Sequence, residues 1–172
     1  KLFIESLKVI IEKNIEQSFQ AIILGSEQGR NVYKKQLIGL VEQYRLGKIV
    51  KFMEQCNDMP VAYRIANLVC SCSIEPEAFG RISVEAQSME IPIIASNIGG
   101  SKETIIDNKT GLLFKSGNPN DLAEKIITIM QKDYNSMKSM GFEGRKNVLK
   151  KFDVDKMCSS TFTEYKKLIE LS

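Results

Sequence analysis

One short stretch constrains the fold of this chain more than any other: an apolar run, a loop containing proline and glycine, and a helical spacing in direct succession. Residues 68–72 read Leu-Val-Cys-Ser-Cys and predict a buried strand. Pro76 then breaks the chain because proline has no amide hydrogen, and Gly80 lets the backbone approach a ligand closely. From Arg81 the spacing i, i+3, i+4, i+7 predicts a helix, with the face Ile82, Glu85, Ala86 and Met89.

A strand that is followed by a turn and then by the start of a helix predicts an anion site. The first amides of the helix, around Gly80, Arg81 and Ile82, have no partner within the helix and point at whatever anion lies there. Glu77 in the loop and Glu85 one turn into the helix flank that position. Carboxylates repel a diphosphate, so we expect both to accept hydrogen bonds from sugar hydroxyls. The alternative, two solvent-facing acids stabilised by the helix dipole, remains open.

Seven residues separate Glu77 from Glu85. This spacing resembles the Glu-x7-Glu motif of retaining GT-B glycosyltransferases of the family 4 group. The resemblance continues downstream through residues 90–103, which contain Gly99 and Gly100, and through residues 107–114. It covers most of the chain and is most specific between residues 69 and 114.

The resemblance implies a fold and a domain. Residues 1–172 correspond to the C-terminal donor domain, which binds the sugar nucleotide, and the N-terminal acceptor domain lies outside this chain. The implied fold is α/β, a Rossmann-like parallel sheet of about five strands with helices on both faces. The full-length protein would transfer a sugar from a nucleotide diphosphate to an acceptor with retention of configuration, in polysaccharide biosynthesis. The 172-residue chain alone is expected to be inactive.

The resemblance also implies roles for residues of the motif. Glu85 would hold ribose hydroxyls, and Glu77, the catalytic candidate, would hold hydroxyls of the transferred sugar together with the backbone of Phe79 and Gly80. The amides from Gly80 to Ile82 would stabilise the departing diphosphate. Arg81 is the one cation in the motif, and its side chain suits either a phosphate or a surface carboxylate.

Two further positions are expected at the same site. Ligands of parallel sheets bind beyond the carboxyl ends of the strands, where Gly25 and Met53 follow the first two predicted strands. In relatives the backbone at Met53 meets the nucleotide base. Gly25 and Gly29 indicate either a second phosphate-facing loop or an ordinary strand-to-helix turn. Gly99 and Gly100 likewise indicate a sugar contact or a tight turn, and the turn is the favoured interpretation in both cases.

No metal and no other cofactor is expected, and the sugar nucleotide is itself the donor substrate. The sequence has no histidine, and no Asp-x-Asp triplet lies within the motif region, residues 69–114. In relatives an arginine and a lysine neutralise the diphosphate instead, and both precede the position of Lys1, on a strand that would be central in the sheet. Four cysteines lack Cys-x-x-Cys spacing, so we expect reduced thiols, with Cys70 and Cys72 packed in the core.

Composition limits the other partners and locations. The net charge of +3 and the lack of a basic run with aromatic residues argue against nucleic acid. With 43% hydrophobic and 26% charged residues, 172 residues predict one soluble globular domain. No signal peptide or membrane span is evident, so we expect a cytoplasmic protein whose full-length form associates peripherally with the inner face of the membrane. The chain begins at Lys1 without methionine and is expected to be a fragment.

Two other functions compete with sugar transfer. A sugar-nucleotide epimerase shares the GT-B architecture but calls for acid and base residues, including histidines, which this sequence lacks. A nucleotide-sugar-binding module without chemistry of its own needs only the binding residues. The Glu-x7-Glu spacing favours the transferase.

Periodicity along the rest of the chain predicts alternating helices and short strands. The first helix carries a stripe at Phe3, Leu7, Ile10 and Ile11, and the next helix ends at Gly47. Asn118 and Pro119 predict an N-cap and first helical position. The strands are predicted at residues 20–24, 48–52, 68–72, 92–96 and 111–114, and the last helix, at residues 154–171, carries a stripe at Met157, Thr161, Tyr165, Leu168 and Ile169.

Overall fold

Helices and strands alternate along the chain. The structure is a computed structural model that describes residues 1–15, 18–26, 29 and 31–170. The strands are β1 (Ala21–Leu24), β2 (Val50–Met53), β3 (Val69–Ser71), β4 (Ile93–Ser96) and β5 (Leu112–Phe114). The helices are α1 (Leu2–Glu12), α2 (Asn31–Gln43), α3 (Met59–Ile65), α4 (Arg81–Ser88), α5 (Ser101–Thr104), α6 (Pro119–Met130), α7 (Tyr134–Lys151) and α8 (Val154–Glu170).

The five predicted strands are all present, and all pair in parallel, which confirms the α/β fold class. They are divided between two sheets. β1 pairs with β2 from Ala21 opposite Val50 to Leu24 opposite Met53. The second sheet has the order β3-β4-β5, with Val69 opposite Ile93 and Ile94 opposite Leu112.

A single hydrophobic cluster joins the two sheets. α1 packs on α6, and residues of both helices belong to one cluster with side chains from both sheets. The predicted stripe on α1 is partly wrong: Leu7 and Ile10 are buried as expected, but so are Ile4 and Ser6, whereas Ile11 is 42% exposed. The covered face is therefore wider than predicted near the start of α1 and narrower near its end.

β4 lies at the centre of the three-stranded sheet. All four of its residues, Ile93–Ser96, are buried, as predicted for a continuous apolar strand that is covered on both faces. The predicted start of α6 is also confirmed. The Asn118 side chain accepts hydrogen bonds from the amides of Asn120 (3.0 Å) and Asp121 (3.1 Å), and Pro119 is the first helical residue. A cap of this kind is worth about 1 kcal/mol.

The spacing that predicted α4 coincides only in part with the buried face of this helix. Ile82 is 41% exposed, whereas Ser83, Ala86 and Gln87 are buried. The reason is the close approach of α7, which has glycine at positions 141 and 144. A Cβ atom at Gly144 would lie 3.0 Å from Cγ of Gln87. Backbones this close leave room for small or flat side chains and exclude a branched one.

The predicted end of the second helix is wrong. α2 ends at Gln43 rather than near Gly47, because Arg45 adopts a positive φ of 56° and the amide of Leu46 bonds back to the carbonyl of Val41 (2.9 Å). This is the hydrogen-bond pattern of a left-handed helix end, carried here by arginine. The predicted last helix forms, although its last residue, Leu171, lies outside the described residues.

The stripe predicted on α8 does not face the core. No residue of Val154–Glu170 is buried, and its large apolar side chains are exposed. Within the described part of the chain, no helix is both long enough and apolar enough to cross a membrane.

Candidate functional site

The loop between β3 and α4 ends in a glycine because its backbone requires one. Gly80 is the N-cap of α4 and has a left-handed conformation, with φ of 76° and ψ of 56°. Its carbonyl accepts a hydrogen bond from the Ser83 amide (3.0 Å). Among the described residues, the amides of Gly80, Arg81 and Ile82 have no hydrogen-bond acceptor. The start of α4 therefore offers three N–H groups and the positive end of the helix dipole to an anion.

Glu77 is held on this loop by both its side chain and its backbone. It is half-buried, and the Ser73 hydroxyl donates a hydrogen bond to its Oε1. Its carbonyl accepts the amide of Gly100 at 2.8 Å. One carboxylate oxygen, Oε2, has no partner among the described residues and can accept from a ligand.

The pair Gly99 and Gly100 lets a second turn pack directly on the motif loop. A Cβ at Gly99 would lie 2.5 Å from the carbonyl oxygen of Glu77, and a Cβ at Gly100 would lie 2.5 Å from the backbone of Phe79. Gly99 has a positive φ of 51°, as a tight turn requires, but Gly100 has an ordinary φ of −62°. The turn interpretation therefore explains Gly99 alone, and Gly100 is needed because any side chain would collide with the loop.

Glu85 has a hydroxyl partner from a different helix. The Tyr63 hydroxyl, on α3, donates to Glu85 Oε2 at 2.7 Å. Tyr63 is only 5% exposed. Burial, and next the hydrogen bond to Glu85 and its charge, raise the pKa of Tyr63 above its usual range, so the phenol remains a donor at neutral pH. Sequence reasoning missed Tyr63, since one tyrosine within an apolar helix carries no signal of its partner.

A buried polar network fixes α4 in place. The Gln87 side-chain amide donates to the carbonyls of Ser83 (2.9 Å) and Thr104 (3.0 Å). The same Thr104 carbonyl accepts the side-chain amide of Asn147 at 3.1 Å. These bonds tie α4 to α5 and α7, and buried groups of this kind are costly to leave unpaired. No pattern in the sequence indicates this network, because it joins residues far apart in the chain.

Gly25 and Met53 form a second part of the site. The Gly25 amide donates to the Met53 carbonyl at 3.2 Å, and both residues line a cavity of about 370 Å³ at the carboxyl ends of β1 and β2. Gly25 and Gly29 both have positive φ, but Glu27 and Gln28 of the predicted loop lie outside the described residues. The other lining residues are Ile23, Leu24, Ser26, Tyr33, Lys34, Leu37, Phe52 and Glu54.

The remaining predicted residues are on the exposed side of the motif. Arg81 is exposed, and so are Phe79 (44%) and Ile82 (41%). The Phe79 ring contacts the ring of Phe152 edge to face, with centroids 5.5 Å apart. The predicted residues thus form two groups, one beyond β3 around the start of α4 and one beyond β1 and β2. Within the described ranges, no three His, Cys, Asp or Glu side chains are grouped as metal ligands.

The chain is similar in sequence to known glycosyltransferases. The chain is 27% identical over 149 residues to the capsular polysaccharide biosynthesis glycosyltransferase CapM of Staphylococcus aureus, an alignment that covers 87% of this chain and 37% of CapM. The chain thus spans about a third of the length of the curated relatives it matches.

Solved structures agree with this similarity. A glycosyltransferase from Rickettsia africae superposes with a TM-score of 0.87 at 28% identity, over 99% of this chain and 44% of that one. HepE of Anabaena, in complex with UDP and glucose, superposes with a TM-score of 0.84 at 26% identity, over 95% of this chain and 44% of that one. The fold is that of GT-B Rossmann-like domains. The model of the family described as "Glycosyl transferases group 1" matches residues 1–147, and the chain belongs to that family.

Proposed function

We propose that residues 1–172 are the donor domain of a retaining GT-B glycosyltransferase of the family 4 group. In this proposal the chain binds a nucleotide-diphosphate sugar. An acceptor domain elsewhere in the protein completes the transfer, with retention of configuration. One observation carries the proposal: a helix start with three unpaired amides lies between two carboxylates that are each oriented by a neighbouring hydroxyl, Glu77 by Ser73 and Glu85 by Tyr63.

Each group in the motif suits a different part of such a ligand. The amides from Gly80 to Ile82 and the helix dipole favour the diphosphate, and they stabilise the negative charge that develops on it as the sugar departs. Glu85 accepts hydrogen bonds from ribose hydroxyls, and Glu77 accepts from hydroxyls of the sugar. Arg81, exposed at the first position of α4, supplies a positive charge beside the phosphates. No metal ion takes part in this proposal.

The cavity at Gly25 and Met53 is the proposed place of the nucleotide base. Its volume of about 370 Å³ is within the range of small-molecule sites. HepE, which has the same fold over this chain, was crystallised with UDP and glucose, which supports a uridine nucleotide as the first ligand to test.

The binding proposal is tested by calorimetry with UDP, GDP and ADP. We expect at least one of them to bind, with the same affinity when a chelator of divalent metal ions is present. Glu85→Ala should weaken the binding of that nucleotide by about 1.5–3 kcal/mol, or more than tenfold in affinity, because it removes charge-assisted hydrogen bonds. Glu124→Ala is the matched control, since it removes the same charge from an exposed position on α6.

Equal affinity of Glu85→Ala and the parent would remove Glu85 from the site. A requirement for magnesium or manganese would contradict the metal-free neutralisation of the diphosphate. A binding module without chemistry would give the same calorimetry, so the full-length protein must also be incubated with the matching sugar nucleotide and an acceptor. NMR of the product distinguishes the two functions. Only the enzyme, and not a binding module, is expected to transfer the sugar with retained configuration.

A further inference from the structure

Tyr63 stands apart from the other tyrosines of the described chain because it is buried. Tyr33, Tyr134 and Tyr165 are each at least 47% exposed, whereas Tyr63 is 5% exposed. Its ring packs in a small cluster with Ala86, Ile93, Ala95 and Ile105. The cluster joins α3 to α4 and β4, so the position of the Tyr63 hydroxyl is set by core packing rather than by solvent.

The hydroxyl is directed at one oxygen of a motif carboxylate. It donates to Glu85 Oε2 at 2.7 Å, across 22 residues of sequence, which is the length expected for a hydrogen bond between a hydroxyl and a charged acceptor. Glu85 Oε1 has no partner among the described residues. A carboxylate with one oxygen held in this way has its plane fixed, and the other oxygen is presented in one direction.

Without the tyrosine, Glu85 has another partner within reach. Arg81 lies four residues earlier on α4, and residues four apart face each other on a helix. A carboxylate released from Tyr63 is free to change rotamer and pair with that guanidinium. The bond from Tyr63 therefore does more than satisfy a buried phenol: it selects which way Glu85 faces.

We propose that Tyr63 is a positioning residue for the ribose: its hydroxyl holds Glu85 Oε2 so that Oε1 accepts hydrogen bonds from the 2′- and 3′-hydroxyls of the nucleotide. This inference rests on the proposed function, which assigns the ribose to Glu85. It adds that discrimination between ribose and deoxyribose depends on a side chain of α3 that does not touch the ligand.

The test compares a ribonucleotide with its analogue that lacks both hydroxyls. Calorimetry is performed with whichever of UDP, GDP and ADP binds the parent best and with the corresponding 2′,3′-dideoxy diphosphate. Tyr63→Phe is expected to lower the affinity for the ribonucleotide about five- to tenfold, less than Glu85→Ala does, because the carboxylate remains but is no longer held in one direction. Its affinity for the dideoxy analogue should be unchanged. Tyr134→Phe, at an exposed position, is the control and should alter neither.

The double variant separates positioning from general stability. Once Glu85→Ala has removed the carboxylate, adding Tyr63→Phe should cause no further loss of ribose preference. Equal losses for both ligands with Tyr63→Phe would show a merely structural tyrosine and overturn the inference, as would an unchanged affinity for both. If no nucleotide binds the parent, the proposed function itself fails, and if Glu85→Ala has no effect, the assignment of the ribose to Glu85 fails.

If Tyr63→Phe does not fold, a crystal structure of the parent with the nucleotide shows whether Tyr63 positions Glu85. The inference requires the Tyr63 hydroxyl on one oxygen of Glu85 and a ribose hydroxyl on the other. A carboxylate that leaves Tyr63 when the nucleotide binds would overturn it.

Discussion

The two halves of the molecule hold their parts of the site in different ways. In the half around the β3-β4-β5 sheet, the backbone of the motif loop contacts the Gly99-Gly100 turn directly, and all of β4 is buried. In the half around β1 and β2, each strand has one buried residue. There the cavity is lined by side chains that include Met53, which is 52% exposed.

The difference matches what each half is proposed to bind. A diphosphate and sugar hydroxyls are recognised by donors and acceptors in fixed directions, and such groups are most effective when they need no reorganisation. None of the residues that line the cavity at Gly25 and Met53 is fully buried, and exposed walls are typical of the less stable parts of a protein. We infer a rigid motif half and a more adaptable half around the cavity.

The largest expected difference between the halves is in thiol reactivity. Cys70 and Cys72, on and after β3, pack against the core. Burial raises the pKa of Cys72 to about 12 and that of Cys70 well above its usual value. At pH 8 the thiolate fraction of Cys72 should be about three orders of magnitude below that of a free cysteine.

Alkylation by iodoacetamide, followed by mass spectrometry of the peptides, measures this difference. Cys158 is exposed, whereas Cys56, in the loop after β2, is half-buried like Cys70 and Cys72 but does not pack against their core cluster. We expect Cys158 to react first and Cys70 and Cys72 to remain unmodified until the protein is unfolded in urea, where all four thiols should react. Modification of Cys72 in the native protein at the rate of Cys56, which follows β2, would show that the motif half opens readily.

The next effect concerns the contact between the two loops of the motif half. Gly100→Ala places a Cβ 2.5 Å from the backbone carbonyl of Phe79, and because backbone atoms cannot rotate away, the loop must shift. We expect a loss of about 2–3 kcal/mol in the free energy of unfolding, as for other overpacked sites. Since the displaced segment leads into Gly80, nucleotide affinity should fall as well. Urea unfolding is followed by circular dichroism because the chain has no tryptophan.

Gly100 adopts an ordinary φ of −62°, so its substitution tests the close approach without the cost of a left-handed backbone. Unchanged stability would mean that the two loops separate easily. The half around the β3-β4-β5 sheet could then no longer be described as rigid.

The sequence predicted the local features of this site because they depend on neighbouring residues. The apolar run before Ser73, the glycine at position 80 and the helical spacing from Arg81 correctly predicted the strand, the turn and the helix start. The N-cap at Asn118 was predicted for the same reason, since a side chain bonds an amide two or three residues away. Five parallel strands followed from apolar runs of strand length.

The sequence did not predict contacts between distant segments. Periodicity assigns a helical face but does not say how close the neighbouring helix lies, so it did not show that Gly144 of α7 lies against Gln87 of α4. Tyr63 and Glu85 are 22 residues apart, and no local rule pairs them. The end of α2 at Arg45 was also missed, because left-handed helix ends usually have glycine and the nearby Gly47 was the better candidate.

The smallest expected effect is a change of the opposite sign in the free energy of unfolding. It follows from substituting a glycine in the half around β1 and β2. Gly39 lies within α2 and is exposed, and no atom lies within 4 Å of the position that a Cβ would occupy there. Gly39→Ala should therefore raise the free energy of unfolding by about 0.5–1 kcal/mol, through helix propensity and a less flexible unfolded chain. The same urea titration measures it, with an unchanged slope and a higher midpoint.

Because Gly39→Ala and Gly100→Ala add the same methyl group at ordinary backbone angles, their opposite signs would isolate close packing as the feature that distinguishes the halves. Destabilisation by Gly39→Ala would show that α2 is packed as tightly as the motif loop, and the proposed adaptability of the cavity would have to be abandoned.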